Sequence, residues 1–275
     1  MARSSRVTAR DLRNAYRLLG ECQELGDDPI VWRHHFFAGL KRLVGSDVTM
    51  GGEMAGGRTR RPCAIGTTEW GWEAGFRRDI WLRDLAEFAV NPWFHPLMNH
   101  VLQEIKTNDS ADVMRQEVIT DQDWYQSKEY QLSHEAAGTD AIGFSFVLIP
   151  EREAFSGLIL NRRLGERQFD TRERDLVAHL HRDVAQKIGG ALTSLTEPSP
   201  EMLSPRVKQV LRCLLEGDGD KQIAKRLNLS VFTVNQYVKT IFKHFQVDSR
   251  ARLQARWLKR GWGINCRWAV SDSTQ

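Results

Sequence analysis

Residues 204–245 place three helical periods in a row, separated by breaks too short for anything but close packing of helix on helix. In LSPRVKQVLRCLLEG, Ser204 stands where a cap belongs and Pro205 takes the first helical position. Val207, Val210, Leu211, Leu214 and Leu215 share one face, and Gly217 terminates the run. A second helix opens at Asp220, offers Ile223, Ala224 and Leu227 as its stripe, and stops at Asn228, one of the few non-glycine residues that tolerate a left-handed cap. Ser230 caps a third helix, with Leu229 placed to staple onto Val234. Val234, Tyr237, Val238, Ile241, Phe242 and Phe245 form its apolar side. A fourth period, about residues 249 to 260, brings Leu253 and Trp257. These stripes predict a small all-α unit built on one shared core.

The other side of the third helix carries Phe232, Asn235, Gln236, Lys239 and Lys243 and no acid. Residues 201–275 hold 14 Lys+Arg against 6 Asp+Glu, a net of +8, leaving 25 against 29, or −4, for residues 1–200. A basic module joined to an acidic one implies a polyanion partner for the former. Two amides followed by two lysines on one face suit base edges near the helix start and phosphate further along.

The tail resembles the LuxR-type helix-turn-helix domain over roughly residues 202 to 260, through LSPR, QVL, KQIAKRL, LSVFTV and VDSRARL in order and without insertion. The resemblance implies a four-helix DNA-binding domain whose third helix enters the major groove. By position it places Asn235, Gln236 and Lys239 at bases, and Lys221, Ser230, Thr233, Lys243 and Arg250 at the sugar-phosphate backbone. Two departures stand out: Val207 replaces the Glu that completes a capping box at Ser204, and Tyr237 with FKHFQV replaces the usual smaller, more basic residues.

The first 200 residues give helices from TARDLRNAYRLLGECQEL, with Leu12, Ala15, Tyr16, Leu19 and Cys22 at helical spacing, and from DPIVWRHHFFAGLKRLVG, with Asp28 as cap. SDVTMGGEM and RPCAIGTTEWGW read as strand segments, DIWLRDLAEFAV as helix, and the middle as helices and loops. AIGFSFVLIP and FSGLILNRR are strands around a polar turn. FDTRERDLVAHLHRDVAQKIGGAL is a long helix with Asp170 and Glu173 in capping-box positions. Its face at Val177, Leu180, Val184 and Ile188 is long enough to pack inward and still offer a seam to a second copy. This C-terminal half resembles the end of a GAF-like or PAS-like sensor domain, which implies an antiparallel sheet with flanking helices. The fold class is therefore α+β with an all-α tail: residues 1–192 a sensory or dimerisation domain, 193–201 a linker, 202–262 the helix-turn-helix, and 263–275 a tail.

Other chemistries find little support. GGEMAGGRT has P-loop glycine spacing but Arg58 where Lys is required, and RRPC where a helix should start, so it reads as a glycine-rich hairpin turn. His34–His35 and His179-x-His181 diverge on a helix and lack a ligand set, so no metal is expected. No nucleophile has a partnered base. The four cysteines lie apart without a CxxC pair, and neither a signal peptide nor an apolar run of membrane length is present, which predicts a cytoplasmic protein with reduced thiols. A receiver domain is excluded by length and by the acids of ELGDDPIVW following a helix. The ligand pattern of an acyl-homoserine-lactone receptor cannot be placed, although that architecture stays open. Six of the nine tryptophans lie in the front domain, mostly as core, with one or two free to line a ligand cavity. The expectation is a non-catalytic DNA-binding regulator, without cofactor, that acts as a homodimer on duplex DNA and carries an unknown small-molecule ligand in front. The alternative is a nucleotide-binding or enzymatic front domain coupled to the tail.

Overall fold

The computed structural model describes residues 6–26, 28–55, 58, 63–73, 75–81, 83, 96–149, 154–188, 192, 200 and 203–259. The chain divides into two compact units, residues 1–194 and 195–275.

The front unit opens with α1 (Ala9–Glu24), where Thr8 and Asp11 form a capping box, and α2 (Pro29–Val44), capped by Asp28 and ended by Gly45 in the left-handed region. Strands β1 (Val48–Ala55) and β2 (Cys63–Trp70) follow as an antiparallel pair. Next come α3 (Pro96–Thr107), β3 (Ser110–Met114), two short helices α4 (Arg115–Val118) and α5 (Asp121–Gln126), and a π-helical turn over Tyr130–Glu135. The hairpin β4 (Thr139–Leu148) and β5 (Ala154–Arg163) leads into α6 (Thr171–Ala185). The sheet is antiparallel in the order β2-β1-β5-β4-β3. Strands β4 and β5 are buried at nearly every residue, so both faces of the sheet are covered. This is the α+β unit with flanking helices that the sequence implied.

Gly51, in the stretch SDVTMGGEM read as a strand, lies inside β1. A Cβ there would come within 2.7 Å of Leu158 and 2.9 Å of the Gly157 carbonyl on β5, and 3.0 Å of the Phe37 ring on α2, so the glycine lets strand and helix approach closely. Residues 56, 57 and 59–62 of the intervening connection fall outside the described residues.

Three expectations are corrected. On α1, Ala15, Leu19 and Cys22 are buried, but so is Leu18, while Leu12 and Tyr16 are 37% and 60% exposed. The helix is turned because Asp11, nearly buried, receives Arg172 from α6 at 3.1 Å, which fixes the inward face at Asp11, Ala15, Leu18 and Cys22. The long helix expected through residue 192 ends at Ala185, and Val177, Leu180 and Val184 on α6, with Ile188 just beyond it, are all within 5% of full burial inside their own unit, so this stripe leaves no seam for a second copy. In the middle region β3 is an edge strand that the sequence reading took as loop or helix. Of DIWLRDLAEFAV, residues 79–81 and 83 are helical and the remainder falls outside the described residues.

The tail unit contains α7 (Pro205–Leu215), α8 (Asp220–Leu227), α9 (Val231–His244) and α10 (Arg250–Lys259). Their stripes merge in one core around Val210, Leu211, Ile223, Val234, Ile241, Phe245, Leu253 and Trp257. Ser204 takes the N-cap position of α7, yet its hydroxyl makes no capping bond. Gly217, at φ 95°, ends α7, with its amide donating to the Leu214 carbonyl at 3.2 Å and that of Asp218 to Cys213 at 3.0 Å.

Candidate nucleic-acid interface

The turn between α8 and α9 is fixed residue by residue. Asn228 adopts φ 51°, ψ 54°, and the Leu229 amide donates to the Ala224 carbonyl at 2.8 Å, closing the helix end. Ser230 accepts from the Thr233 amide at 3.0 Å, and the two hydroxyls lie 2.8 Å apart. Leu229 packs against the core to which Val234 belongs. With Val234, Val238 and Ile241 facing inward, helical geometry leaves Phe232, Asn235, Gln236, Lys239 and Lys243 exposed along the opposite face. Thr240 bonds back to the Gln236 backbone carbonyl at 3.0 Å, which turns the Thr240 hydroxyl onto the helix.

Charge is sorted on this unit. Arg212 donates to Glu216 at 2.9 Å, Arg226 bridges Glu216 and Asp218, and Arg252 meets Asp248 at 2.9 Å. Arg206 reaches the Leu227 carbonyl at 2.7 Å, and Arg256 that of Phe245. Hydrogen bonds from Arg212 and Arg226 hold the Glu216 carboxyl below its ordinary range, and the same contacts with Asp218 and Glu216 raise Arg226. Among the described residues, Lys221, Lys225, Lys239 and Lys243 are exposed without any such partner.

The residues anticipated at the backbone therefore differ in state. Lys221 stands exposed at the second position of α8, Lys243 in the last turn of α9, and Thr233 is half-buried beside its cap. Ser230 is exposed but already accepts the capping bond. Arg250 is drawn inward, donating to the Asp218 carbonyl at 2.6 Å and pairing with Asp220, so only part of its fork faces outward. Sequence reasoning overlooked Lys225, whose exposure on α8 follows from the Ile223–Ala224–Leu227 stripe.

The front unit has polar chemistry of another kind. His181 on α6 is buried between Ser145 on β4, at 2.8 Å, and Ser156 on β5, at 2.9 Å, and Ser145 donates to Asp112 on β3 at 2.6 Å. Burial, with Arg182 adding repulsion, pushes His181 down to about 3, so it is a neutral core residue. Burial raises Asp112 despite its Ser145 bond and nearby Arg182. A cavity beside this cluster, lined by Arg33, Phe37, Ser156 and His181, holds about 10 Å³, room for one water. Among the described residues no group of His, Cys, Asp or Glu could hold a metal, and no helix is long and apolar enough to cross a membrane. Elsewhere, Trp81 and Trp124 flank His134 with ring centroids at 5.3 and 5.1 Å. Their indole N–H groups are buried without an acceptor among the described residues.

Residues 201–255 match the family described as bacterial regulatory proteins, luxR family. No curated protein matches the chain. Among solved structures, SdiA of Escherichia coli aligns at 16% identity over 91% of this chain and 98% of its own, with a TM-score of 0.43. SdiA in complex with octanoyl-rac-glycerol aligns at 16% over 91% and 88%, TM-score 0.35. A VqmA dimer of Vibrio cholerae aligns at 21% over 45% and 49%, TM-score 0.23. At these scores the assignment rests on the tail alone. Family match, four-helix core and capped turn agree: residues 201–255 of the C-terminal unit form a LuxR-type helix-turn-helix domain.

Proposed function

We propose that α9 reads duplex DNA through Asn235, Gln236 and Lys239, while Lys221, Ser230, Thr233, Lys243 and Arg250 hold the sugar-phosphate backbone. The observation that carries this is the exposed face of amides and lysines left without intrachain partners, in a unit whose arginines are paired internally. Asn and Gln offer a donor and an acceptor side by side, which matches an adenine edge in the major groove. The lysines supply the sequence-independent attraction that brings the helix to the groove. The regulator acts by binding, not by turnover. It works as a homodimer on paired half-sites, since one module of this size makes few base contacts.

The front unit takes a small molecule at the aromatic cluster of Trp81, Trp124 and His134. Buried indole N–H groups without acceptors are costly and suit a ligand that carries an acceptor. The cavity lined by Arg33, Phe37, Ser156 and His181, with room for one water, does not provide such a site. Duplex binding by the full chain in low salt, followed through a salt titration, tests the first reading; no affinity for any duplex would end it. A thermal-shift screen of wild type against Trp124→Phe tests the second, expecting stabilising compounds whose effect shrinks in the variant.

A further inference from the structure

Phe232 is 73% exposed, the most open of the large apolar side chains among the described residues. Nothing in the unit uses it. The core side of α9 is taken by Val234, Val238 and Ile241, and the capping bonds run between Ser230 and Thr233. Val231 beside it is also exposed, so the polar, cationic face of α9 begins with an apolar edge.

On most surfaces a lone exposed phenyl ring needs no explanation. Its place on the helix changes the argument. Phe232 lies on the same face as Asn235, Gln236 and Lys239, one turn nearer the helix start. A helix-turn-helix leads into the major groove with the first residues of its second helix. The inference therefore rests on the DNA-binding reading: if the amides face base edges, so does the ring ahead of them. Along those edges the apolar group is the thymine C5-methyl, and the remaining features are donors and acceptors. A phenyl ring against a donor or acceptor strips water from it and returns no hydrogen bond, which is unfavourable. Against a methyl group both surfaces leave water together.

We propose that Phe232 reads a thymine methyl group in each half-site and so determines specificity at that position. The ring accepts thymine and penalises a polar edge, whereas Gln236 and Asn235 choose by hydrogen bonding. The two modes are separable, because a methyl group can be removed from DNA without altering any donor or acceptor.

The test uses the full-length protein and duplexes selected from a random-sequence library. The selected duplex is resynthesised with deoxyuridine in place of each thymidine, one position at a time. At one thymine per half-site, loss of the methyl should weaken wild type about fourfold, the value of one buried carbon. Phe232→Ala should bind the thymine and uracil duplexes equally and accept other bases there in its own selection. Phe232→Leu should keep part of the sensitivity. Unchanged thermal melts establish that the variants fold. If no single uracil weakens wild type, or if the sensitivity survives in Phe232→Ala, the role of Phe232 is overturned and DNA binding stands. If wild type binds no duplex, both fall together.

Discussion

Replacing Lys243 with Ala should change how binding depends on salt before it changes what sequence is bound. Each lysine at a phosphate releases condensed counterions, and the logarithm of the binding constant falls with the logarithm of salt at about 0.9 per contact. Lys221, Lys225, Lys239 and Lys243 are the exposed lysines without intrachain partners among the described residues of the tail. With Lys239 at bases, Lys221, Lys225, Lys243 and Arg250 leave four cationic contacts to phosphate per module, a slope of about −3.6, and about −7 for a pair. Lys243→Ala removes one contact per module, lowering the magnitude for a pair by about 1.8. Gln236→Ala removes no charge and should leave the slope intact.

Fluorescence anisotropy with a labelled duplex, titrated from low to moderate salt, measures all three proteins. A slope unchanged in Lys243→Ala would show that the ammonium does not meet phosphate. A slope for wild type far steeper than four contacts per module would show that arginines other than Arg250, paired within the unit, also engage DNA. Either result refutes the division of charge drawn from the structure.

On a selected duplex against random DNA, Gln236→Ala should lose about 1 to 3 kcal/mol of discrimination while binding random DNA as wild type does. In the front unit, Leu180→Ala should cost about 2 to 5 kcal/mol in urea unfolding. Val184→Asp should abolish cooperative unfolding of that unit instead of giving a folded monomer, because it places an unpaired charge at a buried position. His181 binds its proton more weakly in the folded state, about 3, than unfolded, so its stabilising contribution is present above the unfolded value near 6.5 and is lost as pH falls toward 3, at up to about 1.4 kcal/mol per pH unit. Asp112, raised by burial, acts in the opposite direction as pH rises through its folded value. Unfolding between pH 7 and 5 should show the decline in wild type and a flatter profile in His181→Asn.

The tail was legible because its constraints are local. Gly217 and Asn228 must take positive φ, Ser230 must cap, and stripes of two to six apolar residues leave one way to close a core. The front unit is governed by long-range polar contacts that have no signature in spacing. Tyr16 fits the helical period as well as Leu18 does, and what decides between them is Arg172, distant in sequence, holding Asp11. Strand β3 escaped notice because its central residue is a carboxylate, and only the Ser145–His181 network explains an acid at that position. The α6 stripe was correctly placed on one face, but whether that face met its own sheet or a second copy depends on how much surface β4 and β5 offer, which periodicity does not report.

Net charge points to a polyanion partner for an incomplete reason. A count of basic residues treats arginine and lysine alike, whereas the fold separates them. Arginine's planar fork suits carboxylates and carbonyl groups held at fixed distance, so Arg206, Arg212, Arg226, Arg250, Arg252 and Arg256 bind helix ends and acids within the unit. Lysine's flexible, strongly hydrated head gains less from one fixed geometry and stays in water, where it can follow a phosphate. The consequence concerns specificity as much as affinity. With the acids Glu216, Asp218, Asp220 and Asp248 all tied to arginines, no described carboxylate of this unit is left to repel the duplex beside the reading face, and the choice among sequences passes to the side chains of that face, Asn235, Gln236, Lys239 and Phe232.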